Sequence, residues 1–184
     1  MRTLTLAALL LAAPLPALAQ QSAPSTQAPA LPPTVAASPM PTTAAEYLAM
    51  AASGHLYEKT SSQMMLETPQ ANAELRGFAQ EMVQDHTDTT NRLARAAQAA
   101  GITPGTPRMI QQHSAMVEQL RAASGARRDQ IYLTQQIQAH QQGLAVHQAY
   151  AQGGDTPALR EAARLIAQEV QDHLQKLQRL RAGS

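Results

Sequence analysis

The chain has 184 residues, no cysteine and nearly balanced charge, with 14 Lys and Arg residues against 13 Asp and Glu residues. The absence of cysteine excludes disulfides, thiol chemistry and thiolate–metal sites. The balanced charge provides no basic field for a phosphate backbone, and one Phe with no Trp provides few surfaces on which bases could stack. Composition therefore argues against a nucleic-acid-binding protein.

The first 19 residues have the layout of a secretory signal peptide. A positive charge at Arg2 is followed by an apolar run from Leu4 to Ala13 and by the small-residue pattern Ala17-Leu18-Ala19. The run is shorter than the roughly 20 apolar residues of a membrane span. This length disfavours the alternative of a retained anchor, and no cysteine follows the run to carry a lipid. We expect cleavage after Ala19 and an exported protein that is periplasmic, associated with the outer membrane or secreted.

The next segment, residues 20–43, has the composition of a disordered linker. It holds six of the twelve prolines and no charged residue. Such a segment buries little apolar surface and loses a helical hydrogen bond at each proline, so we expect it to be extended and disordered. The folded part should then be a single domain over residues 44–182.

The remaining residues have a helical composition. They are rich in Ala, Gln, Leu, Glu and Arg, and Gly and Pro are confined to a few breaks. A capping hydroxyl followed by proline, at Thr68-Pro69 and again at Thr156-Pro157, predicts the start of a helix. The predicted helices cover residues 44–66, 69–100, 109–122, 128–152 and 157–181.

The two halves of this helical part share a short pattern. Val-Gln-Asp-His occurs at residues 83–86 and again at residues 170–173, which is 173 − 86 = 87 residues later. Tyr-Leu followed by six residues and His occurs at residues 47–55 and again at residues 132–140. Each half therefore predicts an antiparallel helical hairpin, and two hairpins make a four-helix bundle. The predicted fold class is all-α, with a short extra helix in the central connection.

The spacing predicts one histidine from each long helix at the same height. In an antiparallel hairpin, residues equidistant from the turn are level, and the midpoints (55 + 86)/2 = 70.5 and (140 + 173)/2 = 156.5 both fall near a predicted turn. The buried seams of the four long helices include His55, His86, His140 and His173. Glu58 lies one turn from His55. We expect the four histidines in one core layer and the other two outside it, with His113 exposed and His147 elsewhere in its seam.

These segments resemble the exported bacterial family called domain of unknown function 4142. The similarity covers about residues 44–181 and is carried by ASGHLYEKTSSQMML, LRGFAQEMVQDHTDTTNRL, DQIYLTQQIQAHQQGLAVHQAYAQ and ALREAARLIAQEVQDHLQKLQRL. The resemblance implies a ferritin-like bundle, a fold that often holds two metal ions through Glu and Glu-x-x-His ligands. Here Val83 and Val170 stand three residues before His86 and His173. The di-iron carboxylate site of ferritins is therefore not expected.

Two main interpretations of the histidine layer remain. A metal site would take its ligands from His55, Glu58, His86, His140 and His173, a set that suits Zn, Cu, Fe or Ni. The partners that orient these ligands would be Asp85, Asp172 and Glu169. The alternative is a polar core layer, in which buried imidazoles hydrogen-bond to Glu58, to Tyr hydroxyls or to each other and fix the register of the bundle. A pH-sensitive layer is a further alternative.

Enzymatic activity is not expected. The sequence has no cysteine nucleophile, no glycine-rich phosphate loop and no serine in a nucleophile elbow. The predicted function is a non-catalytic, exported bundle that acts on an unknown protein or envelope partner, in envelope maintenance or stress tolerance. The alternative function is a metal-binding or metal-storage bundle with a His/Glu site between its helices.

Overall fold

The computed structural model describes residues 40–183. Its helices are α1 (Ala44–Leu66), α2 (Ala73–Ala99), α3 (Gln111–Ala122), α4 (Gly125–Gly153) and α5 (Pro157–Gly183). No strand occurs between residues 40 and 183, and no helix in that range combines the length and apolarity that a membrane span requires. The predicted signal peptide and the linker up to residue 39 lie outside the described residues.

The four long helices form a bundle of two hairpins. The hairpins are α1–α2 and α4–α5, and they pack together through α1 against α4 and α2 against α5. Helices α2 and α5 are antiparallel, because Arg92 pairs with Glu169 while Glu81 pairs with Lys176. The short helix α3 packs against α1 and α4. The all-α four-helix bundle with one extra helix is therefore confirmed.

The end of the predicted linker belongs to the folded domain. The Thr43 side chain accepts a hydrogen bond from the Glu46 backbone, and the Glu46 carboxylate accepts one from the Thr43 backbone, which forms a capping box at the start of α1. The backbone N–H of Asp155 donates to the Thr42 carbonyl, so this segment is also held by the α4–α5 turn. Residues 42 and 43, at the end of the predicted linker, are therefore hydrogen-bonded to the domain.

The predicted start of the second helix at Thr68-Pro69 is wrong. Helix α2 begins four residues later, where the Asn72 side chain accepts hydrogen bonds from two backbone N–H groups of the first turn. The Thr68 hydroxyl instead donates to the Met64 carbonyl in the last turn of α1 and accepts from Arg128 of α4. Thr68 therefore closes one helix rather than opening the next. Thr156-Pro157 does open α5, as predicted.

Two apolar clusters at the ends of the core are separated by a band of polar side chains, and a third, smaller cluster packs α3 against α1 and α4. One end cluster includes Tyr47, Leu93, Tyr150, Leu159 and Ile166. The other includes Met65, Phe78, Tyr132, Ile137 and Leu177. On every long helix a buried histidine lies between the residues of the two clusters. Burying polar groups is unfavourable unless they are satisfied, so the contacts made by this band decide what it can do.

Candidate metal centre

One histidine from each long helix contributes to the polar band. The side chains are those of His55, His86, His140 and His173, each at most 6 % exposed, and together they are called the histidine layer. The ring centroids of His86 lie 5.2 Å from His55, 5.7 Å from His140 and 6.0 Å from His173. His140 and His173 are 5.3 Å apart. The structure thus brings together the four histidines that the hairpin spacing placed at one height.

Three of the four histidines form a tighter group. One ring nitrogen from each of His86, His140 and His173 lies within 4.8 Å of the other two, and these residues are called the three-histidine group. His55 stands beside it, with its ring against those of His86 and His147. Of the four predicted histidine ligands, three therefore converge, and His55 lies next to them.

The protonated nitrogen of His140 can be assigned from its partner. Nδ1 lies 2.9 Å from the backbone carbonyl of Gln136, which only accepts, so Nδ1 carries the proton and donates. A Glu58 carboxylate oxygen lies 3.3 Å from the same Nδ1. The other nitrogen, Nε2, is buried and has no hydrogen-bond partner among residues 40–183. His140 therefore holds a lone pair inside the core with no donor to meet it.

In His173 the two nitrogens exchange roles relative to His140: Nε2 has a hydrogen-bond partner and Nδ1 does not. Its Nε2 lies 3.0 Å from a carboxylate oxygen of Asp85, on the neighbouring helix α2. Its Nδ1 is buried and lacks a partner in the described part of the chain. A carboxylate on one nitrogen and a free lone pair on the other is the arrangement typical of metal-binding histidines.

The remaining two histidines are also incompletely bonded. Neither nitrogen of His86 has a hydrogen-bond partner within the described residues, although both are buried. The Thr90 hydroxyl donates to the His86 carbonyl at 2.6 Å, so its oxygen accepts from Nδ1 of His55 at 3.2 Å. This leaves Nε2 of His55 without a partner among the same residues. In total, five buried ring nitrogens of the layer have no hydrogen-bond partner within residues 40–183.

Burial keeps three histidines of the layer, His55, His86 and His140, uncharged at neutral pH in the protein without metal. Burial, with smaller contributions from the nearby His147 and Lys59, lowers the pKa of His55 to about 3. Burial likewise lowers the pKa of His140 to about 3, and it holds the pKa of His86 well below the usual range. Neutral imidazoles are the form in which histidine binds metal.

Glu58 is the carboxyl group inside the layer. Its side chain is 5 % exposed, and burial raises its pKa well above the usual value, an effect that a hydrogen bond from Gln136 opposes. One of its carboxylate oxygens has no partner in the described structure. Glu58 thus stands behind His140 as Asp85 stands behind His173, although it is not part of the converging group.

Two residues predicted to orient the ligands do not contact the layer. Asp172 is exposed on the outer face of α5. Glu169 forms an ion pair with Arg92 of α2 at 2.6 Å, because the guanidinium reaches its carboxylate across the α2–α5 interface. The predicted roles of Asp172 and Glu169 are therefore corrected, whereas Asp85 does contact a histidine, that of the other Val-Gln-Asp-His segment.

The prediction that His113 is exposed is wrong. It is 7 % exposed, its ring stacks on Tyr57, and its Nδ1 lies 2.7 Å from the Ser53 hydroxyl. The spacing of His113, Met116, Val117 and Leu120 is that of a buried helical face and could have revealed this. His147 is also buried, bonded at 2.9 Å to the Tyr47 hydroxyl, and it borders the layer through His55.

A network of neutral polar side chains lies next to the layer and was not predicted. The Gln136 amide donates to the Ser61 hydroxyl at 3.0 Å, and the hydroxyls of Ser62 and Tyr132 are 2.9 Å apart. These residues are fully buried. All three hydroxyls of this network have partners, whereas every layer histidine has at least one ring nitrogen without a partner among residues 40–183.

The fold and the layer define an all-helical bundle domain with a histidine-rich core. Residues 29–180 match the model of the family described as a domain of unknown function, DUF4142. The chain belongs to this family, which confirms the resemblance seen in the sequence.

A solved structure shares the fold. The chain is similar to the "DUF305 fragment from Deinococcus radiodurans", with a TM-score of 0.64 and 16 % sequence identity over 74 % of this chain and 93 % of that one. At this identity the similarity shows the fold alone. Among curated proteins no match is found.

Proposed function

We propose that this protein binds a transition-metal ion in the three-histidine group, between the helices of the bundle. The observation that carries the proposal is the convergence of the three rings, since one ring nitrogen of each lies within 4.8 Å of the other two, and each ring also has a buried nitrogen without a partner among residues 40–183. Each of His86, His140 and His173 offers a lone pair that no described donor meets. A cation is the partner that several converging lone pairs require.

The unpartnered nitrogens favour a metal over a purely structural polar layer. A buried polar atom left without a hydrogen bond costs about 1–3 kcal/mol. A layer kept only to fix the register would pair its imidazoles, as Tyr47 pairs with His147 and Ser53 pairs with His113. Those two histidines show that this core can satisfy an imidazole where no ion is needed.

The ligand set indicates the class of metal. Imidazole nitrogen suits Zn, Cu, Fe and Ni, and nitrogens bound to one Zn²⁺ at about 2.0–2.1 Å stand about 3.4 Å apart. The three nitrogens lie within 4.8 Å of one another, so small movements of the rings would bring them to one ion. Glu58 and Asp85, behind His140 and His173, would orient the ligands and offset the charge of the ion.

The closed character of the site supports metal binding or storage rather than catalysis. All three histidines are at most 6 % exposed, and neither of two surface pockets on the described bundle is lined by any of them. An open coordination position reached by substrate is the usual mark of a catalytic metal. The signal-peptide pattern supports an exported location, where a bound metal would serve the cell envelope. The proposal includes a protein partner at that location.

Metal analysis of protein purified without an affinity tag tests the proposal. We expect about one transition-metal ion per chain after dialysis, loss of that ion in His140→Ala, and its retention in the matched core variant His113→Ala. Added Zn²⁺ should raise the melting temperature of the wild type, and a chelator should reverse the rise. No retained ion and no effect of Zn²⁺ would favour the structural polar layer instead.

A further inference from the structure

We propose that the α2–α5 face carries an outer cation subsite, formed by Glu81 and Asp85 together with His173. A divalent ion would bind there first and pass from it to the three-histidine group. The inner end of this route rests on the proposed function. The outer subsite stands on its own geometry.

His173 belongs to two clusters of ligand atoms. The first is the three-histidine group. In the second, one of its ring nitrogens lies within 4.8 Å of a carboxylate oxygen of Glu81 and of one of Asp85, and these two oxygens also lie within 4.8 Å of each other. Its Nε2 meets Asp85 at 3.0 Å, while its Nδ1 has no partner among residues 40–183. A single imidazole therefore connects a surface carboxylate pair to the buried group.

The outer cluster is accessible from solvent, in contrast to the inner one. The Glu81 and Asp85 side chains are 33 % and 34 % exposed, whereas that of Glu58, the carboxyl group behind His140, is 5 % exposed. Two carboxylates and an imidazole are ligands that Zn²⁺ and Mn²⁺ both accept. An ion can thus bind at the α2–α5 face without opening the bundle.

A surface pocket on the same α2–α5 face borders Glu81. It has a volume of about 250 Å³ and is lined by Glu74, Phe78, Glu81, Lys176, Arg179 and Leu180. The ring centroid of Phe78 is 6.3 Å from that of His173 and 6.2 Å from that of His140. One aromatic ring therefore separates the pocket from two of the three inner histidines.

Lys176 is the cationic partner of Glu81. Its ammonium group contacts Glu81 across the α2–α5 interface. Both side chains are at least one-third exposed, and such ion pairs are weak. A divalent ion can displace the ammonium group because it interacts more strongly with two adjacent carboxylates than one monovalent group does.

Transfer requires a change of proton position on His173. Nε2 donates its proton to Asp85, so it can bind an ion only after the proton has moved to Nδ1, which is unpartnered among the described residues and can take it. When the ion moves inward to Nδ1, the proton returns to Nε2 and Asp85. The number of protons on the ring is the same before and after.

Rates of Zn²⁺ uptake and release test the route, with Glu81→Gln as the main variant. Glu81 has no described hydrogen bond to His173, so its replacement should leave the inner site intact. We expect both rates to fall by about fivefold or more, with stoichiometry and Kd unchanged, because an intermediate on the path has been weakened. Glu169→Gln is the matched control: it removes one charge from a similarly exposed α2–α5 ion pair, with Arg92, and should change neither rate.

Replacing Lys176 should change the rate of Zn²⁺ uptake in the opposite direction. Lys176→Gln frees the Glu81 carboxylate and should accelerate Zn²⁺ uptake, while Arg92→Gln, which breaks the control ion pair, should leave uptake unchanged. Equal uptake rates in Glu81→Gln and Glu169→Gln would overturn the route. So would slower uptake in Lys176→Gln, or an increase in release alone in Glu81→Gln.

Mn²⁺ binding detects the outer subsite directly. In metal-free wild-type protein, where Nδ1 of His173 is free to take the proton from Nε2, added Mn²⁺ should broaden the amide NMR signals of residues 81–85 and 173–176, and the broadening should be absent in Glu81→Gln. Absence of this broadening in the wild type would overturn the subsite even if Zn²⁺ is retained inside. Broadening in a protein that retains no Zn²⁺ would instead overturn the proposed function and the transfer, and leave a surface cation site alone.

Discussion

The two Val-Gln-Asp-His segments are identical in sequence but make different contacts. Both place their histidine in the core, with His86 at 6 % and His173 at 4 % exposure. Asp85, on α2, accepts a hydrogen bond from His173 of α5. Asp172, the matching residue on α5, is exposed to solvent and does not reach His86. The two copies are therefore alike in burying their histidine and unlike in the hydrogen bond of their aspartate.

This difference separates what a short motif determines from what its surroundings determine. The four letters fix the helical phase, and the phase buries each histidine. The hydrogen bond of the aspartate depends on which side chain the neighbouring helix presents, and only one of the two aspartates meets a ring nitrogen. His86 is left with two unpartnered nitrogens among the described residues, and His173 with one. His86 therefore depends on an added ligand more than its counterpart does.

The largest expected effect is a loss of Zn²⁺ affinity, and we expect it for the histidine of either Val-Gln-Asp-His segment. His86→Ala and His173→Ala should each lower the affinity for Zn²⁺ by at least about 100-fold, because each removes one of three ligands, a larger change than loss of an orienting partner. Competition with a chelator of known affinity measures this. His113→Ala, which removes a buried histidine bonded to Ser53 instead, should retain wild-type affinity. If either variant binds like the wild type, the two copies differ in ligation as well as in hydrogen bonding.

The metal-free protein should lose stability as the pH falls below about 6.5. Histidines whose folded-state pKa is lowered by burial, such as His55 and His140 at about 3, are neutral in the folded state and protonated in the unfolded state over this range. Each contributes about 1.4 kcal/mol of lost unfolding free energy per pH unit until its folded-state pKa is reached. Glu58 acts in the opposite sense: its pKa is raised, so its contribution is present below about 4.5 and is lost as the pH rises.

Denaturant unfolding in chelator between pH 7 and pH 5 measures this slope. His86→Leu should reduce the slope by the contribution of one histidine, because burial lowers the pKa of His86 as well. Asp172→Asn, at an exposed position, should leave the slope unchanged over this range. An unfolding free energy that does not change between pH 7 and pH 5 would show that the layer histidines gain protons without unfolding the bundle.

Apolar replacement without metal should distinguish the two copies. His86→Leu removes two buried, unpartnered nitrogens and should raise the unfolding free energy of chelated protein by about 1–3 kcal/mol. His173→Leu also removes the hydrogen bond to Asp85, which should reduce its gain by about 1.5 kcal/mol. Urea unfolding at pH 7 measures both values. Equal gains would mean that the bond between His173 and Asp85 contributes nothing to stability.

The helical architecture could be predicted because it follows from local patterns. Periodic apolar residues, with Gly and Pro confined to breaks, gave the long helices, and Thr156-Pro157 gave the start of α5. The start of α2 could not be placed in this way. The Thr68 hydroxyl is engaged by Arg128, 60 residues later, and a contact between distant residues leaves no local signal at Thr68-Pro69.

The histidine layer was predictable in position but not in bonding. Hairpin spacing placed His55, His86, His140 and His173 at one height, since height depends only on the rise per residue. Which nitrogen has a partner depends on the rotation of each ring and on atoms of neighbouring helices. For that reason Glu169, one turn from His173 on the same helix, was assigned to the histidine although Arg92 binds it.

The smallest expected effect addresses the two aspartates directly. Asp85→Asn should weaken Zn²⁺ binding by about tenfold, the lower end of the range for removing a carboxylate behind a metal-binding histidine. The asparagine carbonyl can still accept from Nε2 of His173, so the loss should be partial. Asp172→Asn changes the same residue type in the same four-letter segment and removes the same charge, but at an exposed position, so it should leave the affinity unchanged.

Equilibrium competition at several salt concentrations separates the possible causes. If Asp85 acts by orienting His173 at 3.0 Å, the difference between the two variants should persist at high salt, because a contact at this distance is screened little. If it acts only through its charge, the difference should shrink as salt rises. Equal affinities for the two variants at every salt concentration would show that the asymmetry between the two segments has no part in holding the ion, and that the three imidazoles alone set its affinity.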